Sequence, residues 1–140
     1  MIKTNYDAKR TAAIIEFKGD VDGTQAEKAV ADLSRILPKN GDGFVLLADF
    51  SEVGTMELAV KAAIEKSMDL MDAKSVKEIL RVLPDPAMDL GFRLMGNAHY
   101  SKHPKVITCR SREEAEAYLQ RGLVTKMRAM QISRPGGSFE

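Results

Sequence analysis

The spacing of apolar residues along this chain switches several times between a strand pattern and a helix pattern. Residues 2–6 (IKTNY) and 11–18 (TAAIIEFK) are rich in β-branched or aromatic side chains, and the polar turn DAKR separates them. This arrangement predicts an N-terminal β-hairpin. FVLLADF at 44–50 and EILRVLP at 78–84 are apolar on both faces, which indicates strands buried inside a sheet, and KVITC at 105–109 is predicted as the last strand.

Apolar residues at helical spacing fill the segments between these strands. Thr24 opens TQAE, a capping box in which the Thr24 hydroxyl and the Glu27 carboxylate bind free amides at a helix start. SREE, from Ser111 to Glu114, is a second such box, and Gly122 is predicted to close the helix that follows. The predicted helices cover about residues 24–37, 56–72, 85–97 and 111–122.

The resulting order, β-β-α-β-α-β-α-β-α, belongs to the α/β class. Three strands are each followed by a helix, which favours parallel pairing through right-handed crossovers, and the hairpin supplies an antiparallel edge. We therefore predict a mixed sheet of four or five strands with about four helices against it. Residues 1–122 form the one predicted domain.

A C-terminal extension, residues 123–140, departs from this pattern. It contains no acidic residue before Glu140, and a Pro-Gly-Gly break interrupts it. The extension either docks on its own domain, pairs with a second copy to form a homodimer, meets an acidic partner or frays as a terminus. Its basic and apolar residues are Lys126, Arg128, Arg134, Leu123, Val124, Met127 and Met130.

Composition narrows the function classes. The chain has 140 residues, 44% of them hydrophobic, and its net charge of +1 gives no general reason to expect nucleic acid as a partner. The apolar runs are too short for membrane insertion, and MIKTNYDAKR lacks the apolar core of a secretory signal. The single cysteine, Cys109, fits a reducing compartment. We expect a cytoplasmic protein.

The sequence contains none of the common catalytic or cofactor-binding motifs. GxxxxGK[ST], GxGxxG, GxSxG and HExxH are all missing, so we expect no cofactor and no catalytic residues. His99 and His103, with Cys109 downstream, match no closed zinc pattern, and we expect no metal site there. His99 is interpreted as a residue at a helix C-terminus and Cys109 as a small buried hydrophobe.

Polar residues gather at the predicted carboxyl ends of the strands, where ligands bind in open α/β sheets. Asp85 and Asp89 follow the strand at 78–84, and caps and turns use the same residue types. We favour caps over a pocket. The other residues expected at this edge are Asp20, Asp22, Asp49, Ser51 and Thr55. Five of the eight methionines lie on apolar helical faces and are predicted to fill the core: Met56, Met68, Met71, Met88 and Met95.

Three stretches of this sequence resemble the STAS domain family, the anti-sigma factor antagonist fold, and in particular its divergent SpoIIAA-like group. They are TAAIIEFKGDVDGTQAEKAVADL, FVLLADFSEV and DLGFRLMGNAHYSKHPKVITCRSREEAEAYL. The resemblance covers roughly residues 1–121. It implies a small regulatory domain that docks other proteins without catalysing a reaction.

The resemblance also implies candidate switch residues. In phospho-switched members, a strand-end Asp is followed by a second Asp, two hydroxyl residues and a Gly, and one hydroxyl accepts phosphate. Asp49 matches the strand-end acid, but Glu52, Val53 and Gly54 stand where the rest of the element is expected. The candidate docking or phospho-switch residues are Asp49, Ser51, Thr55 and Glu57. For Thr55 we favour the N-cap of the second helix over a phosphate acceptor.

Three functions follow from these patterns. The first is a regulatory interaction domain that docks a protein partner through the strand-end and second-helix surface. The alternative is a small-molecule or lipid-binding domain with a pocket between helices and sheet. An enzyme ranks last, since Asp85, Asp89, His99 and His103 do not form a paired nucleophile and base.

Overall fold

A computed structural model describes residues 1–39, 43–85 and 87–132. Its strands are β1 (Ile2–Asp7), β2 (Ala12–Val21), β3 (Phe44–Met56), β4 (Val76–Val82) and β5 (Lys105–Cys109). Its helices are α1 (Gly23–Ile36), α2 (Leu58–Ala73), α3 (Ala87–His99) and α4 (Arg112–Ile132). The element order confirms the predicted one.

The five strands form one mixed sheet in the order β1-β2-β3-β4-β5. β1 pairs with β2 antiparallel, and the other neighbours are parallel, which confirms the predicted edge hairpin. Strands β2 to β5 therefore end at the same edge of the sheet, and each parallel connection passes through a helix.

The sheet separates two apolar cores. Ile79 in β4 and Leu83 just after it face a core that contains residues of α1, α2 and α3, whereas Leu80 and Val82 face a second core under α4. This alternation explains why the sequence of β4 is apolar on both faces. Met68 and Met71 are buried in the larger core, and Met56, Met88 and Met95 pack against it, which confirms the predicted core-filling role. Met56, however, lies on β3 and not on a helix face as predicted.

Strand β3 continues beyond the predicted end at Phe50 as far as Met56. The polar residues after Phe50 pair with the end of β2, in the register Lys18↔Glu52, Gly19↔Val53 and Val21↔Met56, with irregularities between these pairs. The predicted end of this strand at residue 50 was wrong. The sequence prediction relied on the regular spacing of apolar residues. A polar segment that forms its hydrogen bonds with a neighbouring strand lacks this spacing, so the sequence does not show that it is a strand.

The start of α1 was predicted two residues too late. Its N-cap is Asp22, whose carboxylate accepts a hydrogen bond from the Gln25 N–H, and the Gln25 side chain accepts one from the Asp22 N–H. This box takes the place of the one predicted at Thr24 and Glu27. At α4 the predicted cap is confirmed, because the Glu114 N–H donates to the Ser111 hydroxyl at 3.1 Å.

The prediction that Gly122 closes helix α4 was wrong, because the helix runs on to Ile132. A glycine inside a helix costs about 1 kcal/mol, which lowers stability without forcing an end. The division at residue 122 stays a prediction. The side chains of the apolar strip Leu123, Val124, Met127 and Met130, and all of residues 133–140, lie outside the described residues. None of the helices among the described residues combines the length and the hydrophobicity of a membrane-spanning segment.

Candidate functional site

The ends of β2 and β3 project beyond the core as a two-stranded ribbon. Phe17 and Phe50 stack at its base, with ring centroids 4.3 Å apart, and the residues beyond them are mostly exposed. The ribbon leads directly into the first turn of α2. We call the exposed residues of this region the ribbon surface: Asp20, Asp22, Ser51, Glu52, Thr55, Glu57 and Leu58.

Thr55 lies within the ribbon and does not cap α2. Its N–H donates a hydrogen bond to Asp20 Oδ1 at 2.8 Å. Hydrogen bonds from the backbone and the hydroxyl of Thr55 hold the pKa of Asp20 below its usual value. Gly54 permits this contact, because a Cβ at that position would lie 2.4 Å from Asp20 Oδ1. The N-cap interpretation of Thr55 was wrong.

Glu57 is the N-cap residue of α2 and joins the starts of two helices. Among the described residues its side chain makes no capping bond within α2; its Oε1 instead accepts from the Gly23 N–H of α1 at 3.2 Å. The Glu57 N–H donates to the Val21 carbonyl. Gly23 is needed here because a Cβ would approach the Ala59 Cβ to 2.7 Å. These contacts hold the α2 start against the end of β2.

Leu58, the first residue of α2, leaves 85% of its surface exposed. A patch of large hydrophobic residues exposed to water often marks a contact site, whereas a single exposed hydrophobic residue is ordinary. Leu58 differs from an ordinary exposed leucine in its surroundings, because it follows Glu57 directly at the end of the ribbon. The sequence interpretation missed Leu58, since nothing in a helical stripe shows which apolar residue of the first turn stays uncovered.

The ribbon surface is acidic. Glu52 lies 3.8 Å from the Lys18 ammonium. The carboxylates of Asp20, Asp22 and Glu57 accept hydrogen bonds from backbone amides, which leaves their charge in place. An apolar side chain is thus set beside several negative charges.

Asp49 is not part of this surface. It is buried on the α4 face, where its Oδ1 accepts from the Ser51 N–H at 2.8 Å and its Oδ2 accepts from Arg112 Nη1 at 3.0 Å. Burial acts to raise the pKa of Asp49, but the hydrogen bonds from Ser51 and the Arg112 cation outweigh it and hold the pKa below its usual value. Arg112 also binds Glu16 and Glu116. This network fastens α4 to the sheet.

The other polar residues predicted at the strand ends fall into separate hydrogen-bond groups. Asp85 Oδ1 accepts from the Ala87 N–H at the start of α3, as a cap. Asp89 binds Arg81, Arg93 and the Thr108 hydroxyl.

His99, at the C-terminus of α3 as interpreted, has one ring nitrogen 2.7 Å from Asp69 and the other 3.0 Å from Glu65, both on α2. Cys109 is buried under α4, which confirms its interpretation as a hydrophobe. Burial, with Glu114 nearby, raises the pKa of the Cys109 thiol. Within the described ranges no group of three or more His, Cys, Asp or Glu side chains is placed to hold a metal ion.

Neither a protein-family model nor a curated protein matches the sequence. Solved structures do match. The anti-sigma factor antagonist SpoIIAA in its unphosphorylated form is similar with a TM-score of 0.61 and 15% identity, over 86% of this chain and 98% of that one. The phosphorylated form of the Bacillus cell fate determinant SpoIIAA gives a TM-score of 0.58 and 16% identity, over 85% and 99%.

A third solved structure, from Shewanella loihica, is an uncharacterized protein of the DUF3478 family with a SpoIIAA-like fold. Its TM-score is 0.60 at 14% identity, over 85% of this chain and 92% of that chain. These matches confirm the predicted STAS-like fold: the chain has the architecture of SpoIIAA. At these identities the shared property is the fold.

Proposed function

We propose that this chain is a non-enzymatic regulatory domain that docks a protein partner through the ribbon surface. The observation that carries the proposal is Leu58, exposed to 85% at the start of α2 and bordered by the acidic ribbon. An apolar side chain held on a rigid element is a typical anchor for a pocket on a partner. The fold shared with SpoIIAA, an anti-sigma factor antagonist, supports a regulatory role.

The charge of the ribbon surface specifies the partner's chemistry. Asp20, Asp22, Glu52 and Glu57 belong to the same ribbon surface as the anchor, so the partner is expected to present Lys or Arg side chains beside an apolar pocket. Such complementarity speeds association and makes it depend on salt. Ser51 and Thr55, both exposed, lie at the rim of the proposed contact.

A non-catalytic role is supported by the state of the groups best suited to catalysis. The Cys109 thiol is buried and has a raised pKa, which disfavours the reactive thiolate. Both ring nitrogens of His99 are engaged by carboxylates of α2. Neither side chain is positioned to act as a free nucleophile or base.

Phosphorylation of Thr55 or Ser51 is a separate hypothesis, and docking does not require it. A phosphate on Thr55 would add nearly two negative charges beside Asp20, which the Thr55 N–H binds. We expect the resulting repulsion to displace the exposed Thr55 side chain from Asp20, outside the core, and so to weaken docking with little effect on overall stability.

The docking proposal is tested by capture from a lysate of the native host with wild-type protein, Leu58→Asp and Leu94→Asp. Leu94 is the matched control, an exposed leucine on α3 that is 61% accessible. We expect a partner that wild-type and Leu94→Asp retain, that Leu58→Asp loses by about tenfold or more, and that high salt releases. Equal capture by the two aspartate variants, with normal circular dichroism for both, would refute the ribbon surface as the docking site.

The phosphorylation hypothesis has its own test. Thr55→Glu should weaken capture of the same partner while the unfolding midpoint stays close to that of wild-type protein. Phosphate mapping of protein from the host identifies the acceptor. Phosphate found on Ser51, with Thr55 bare, would move the switch to Ser51.

A further inference from the structure

Arg81 is a buried cation on the α3 side of the sheet. It lies on β4 among the core positions Ile79 and Leu83, and only 8% of its surface is exposed. Its Nη2 donates to Asp89 at 3.3 Å, and its guanidinium lies 5.6 Å from the Phe92 ring centroid. Within the described residues, however, its buried Nε donates to nothing. An unsatisfied buried donor is costly, and native proteins rarely keep one without a reason.

Two adjoining cavities meet at this side chain. The inner one, about 50 Å³, is lined mainly by apolar residues, and the outer crevice under α3, about 230 Å³, mainly by polar ones. Arg81, Phe92, Tyr100 and Val106 line both. The apolar lining of the inner cavity includes Phe50, Met68, Met71 and Ile79, and the polar lining of the crevice includes Asp89, Arg93, Asn97, His103 and Thr108.

The crevice carries an excess of positive charge. Arg81 and Arg93 both bind Asp89, and the Thr108 hydroxyl donates to the same carboxylate at 2.7 Å. One carboxylate thus serves two guanidinium groups. Burial raises the pKa of Tyr100, so its phenol stays neutral. A second negatively charged hydrogen-bond acceptor would balance the charge of the two guanidinium groups.

We propose that this crevice binds a small carboxylic acid with a compact apolar body. Its carboxylate accepts from Arg81 Nε at the boundary between the cavities, and Arg93 lies on the crevice side. The apolar end points into the inner cavity, past Phe92. The site lies under α3, between β4 and β5, apart from the ribbon surface, and does not depend on partner docking.

The cavity volumes limit the size of this ligand. A dry cavity of about 150 Å³ holds benzene in a well-studied case. The inner cavity of about 50 Å³ is therefore too small for a ring and takes only a short apolar chain, and the outer crevice of about 230 Å³ has room for the carboxylate at its boundary. Long-chain lipids do not fit these dimensions.

The first test compares charged and neutral probes of one shape. Propionate and butyrate, each beside its amide, are titrated into the full chain at millimolar concentration and followed by amide chemical shifts. We expect at least one carboxylate to shift residues of β4, β5 and α3 and to bind about tenfold or more tightly than its amide. Failure of both acids to bind, equal binding of an acid and its amide, or shifts confined to other elements would overturn the proposal.

The second test uses variants of the crevice. Val106→Trp places a large ring at the mouth, from an edge-strand residue that is 42% exposed, and should abolish butyrate binding. Arg81→Met should weaken it about tenfold or more, whereas Arg35→Met, an exposed arginine on α1, should leave it unchanged. If Arg81→Met does not fold, Val106→Trp and the amide comparison still decide. Wild-type affinity in Val106→Trp would refute the site.

Discussion

Among the described residues, each face of the sheet buries one charged side chain, and the two side chains differ in how completely they are paired. On the α4 face, both oxygens of Asp49 accept hydrogen bonds, from Ser51 and Arg112. On the α3 face, Arg81 has an ion-pair partner in Asp89 but a buried Nε without one in the described structure. A fully paired buried charge acts as a structural anchor, whereas an incompletely paired one keeps a hydrogen-bond donor that a ligand can bind.

The helices on the two faces are also held by different kinds of cation. Arg112, which fastens α4, keeps its charge across the whole physiological range. α3 meets α2 through His99, which lies between Glu65 and Asp69 and can lose its charge. The α4 face should therefore be indifferent to pH near neutrality, and the α3 face should not.

The largest expected effect comes from breaking the α4 anchor. Arg112→Met leaves Asp49 buried without its cation, at 8% exposure of the side chain, and removes a partner from Glu16 and Glu116. We expect a loss of about 3 kcal/mol in the free energy of unfolding, measured by urea denaturation.

The exposed neighbour Arg110 supplies the control for that measurement. Arg110→Met should change the free energy of unfolding by less than about 0.5 kcal/mol, as most surface substitutions do. Similar losses in the two variants would show that the Asp49–Arg112 pair is not an anchor.

The second effect is a dependence of stability on pH that His99 confers. The hydrogen bonds from Glu65 and then Asp69 raise the pKa of His99 above its usual value. A raised pKa in the folded protein stabilises it fully below about pH 6.5, the unfolded value, and this stabilisation is lost as pH rises through the folded pKa. We expect the urea midpoint of wild-type protein to fall over that interval, by less than the effect of Arg112→Met.

Substituting each of the two histidines in turn tests whether His99 causes this pH dependence. His99→Gln should flatten the profile, and His103→Gln should keep it, since His103 lies in the crevice and not between the carboxylates of α2. A profile that survives in His99→Gln would exclude His99 as the titrating contact.

The smallest expected effect tests the other half of the comparison. Arg81→Met replaces an incompletely paired cation with an apolar side chain, while Asp89 keeps Arg93 and Thr108. Such replacements are often neutral, and we expect the free energy of unfolding to change by less than about 1 kcal/mol. A loss as large as that of Arg112→Met would make Arg81 an anchor too.

The strands and most of the helices could be predicted because apolar period is a local property. The runs at 44–50 and 78–84 indicated buried strands correctly, and the sheet has the expected antiparallel edge. Predictions that depended on polar residues did worse. Two capping boxes overlap at 22–27, and the choice between them depends on where β2 ends.

The candidate site was harder to predict because the positions of its residues depend on contacts with residues that are distant in the sequence. Asp49, chosen as a strand-end residue, is buried against Arg112, which lies 63 residues away in the chain. Thr55 was assigned to a helix start, but the end of β2 draws it into a strand. Leu58 and Arg81 belong to apolar patterns in sequence, and only the packing around them makes one exposed and the other a buried cation.

The sequence by itself determined the order of the elements, the edge hairpin and the strands that lie inside the sheet, because each follows from the spacing of neighbouring side chains. The tertiary structure alone decided which charges meet, which hydrophobic residue stays uncovered and where a donor lacks a partner. Those properties depend on residues far apart in the chain, brought together when the helices cover the two faces of the sheet.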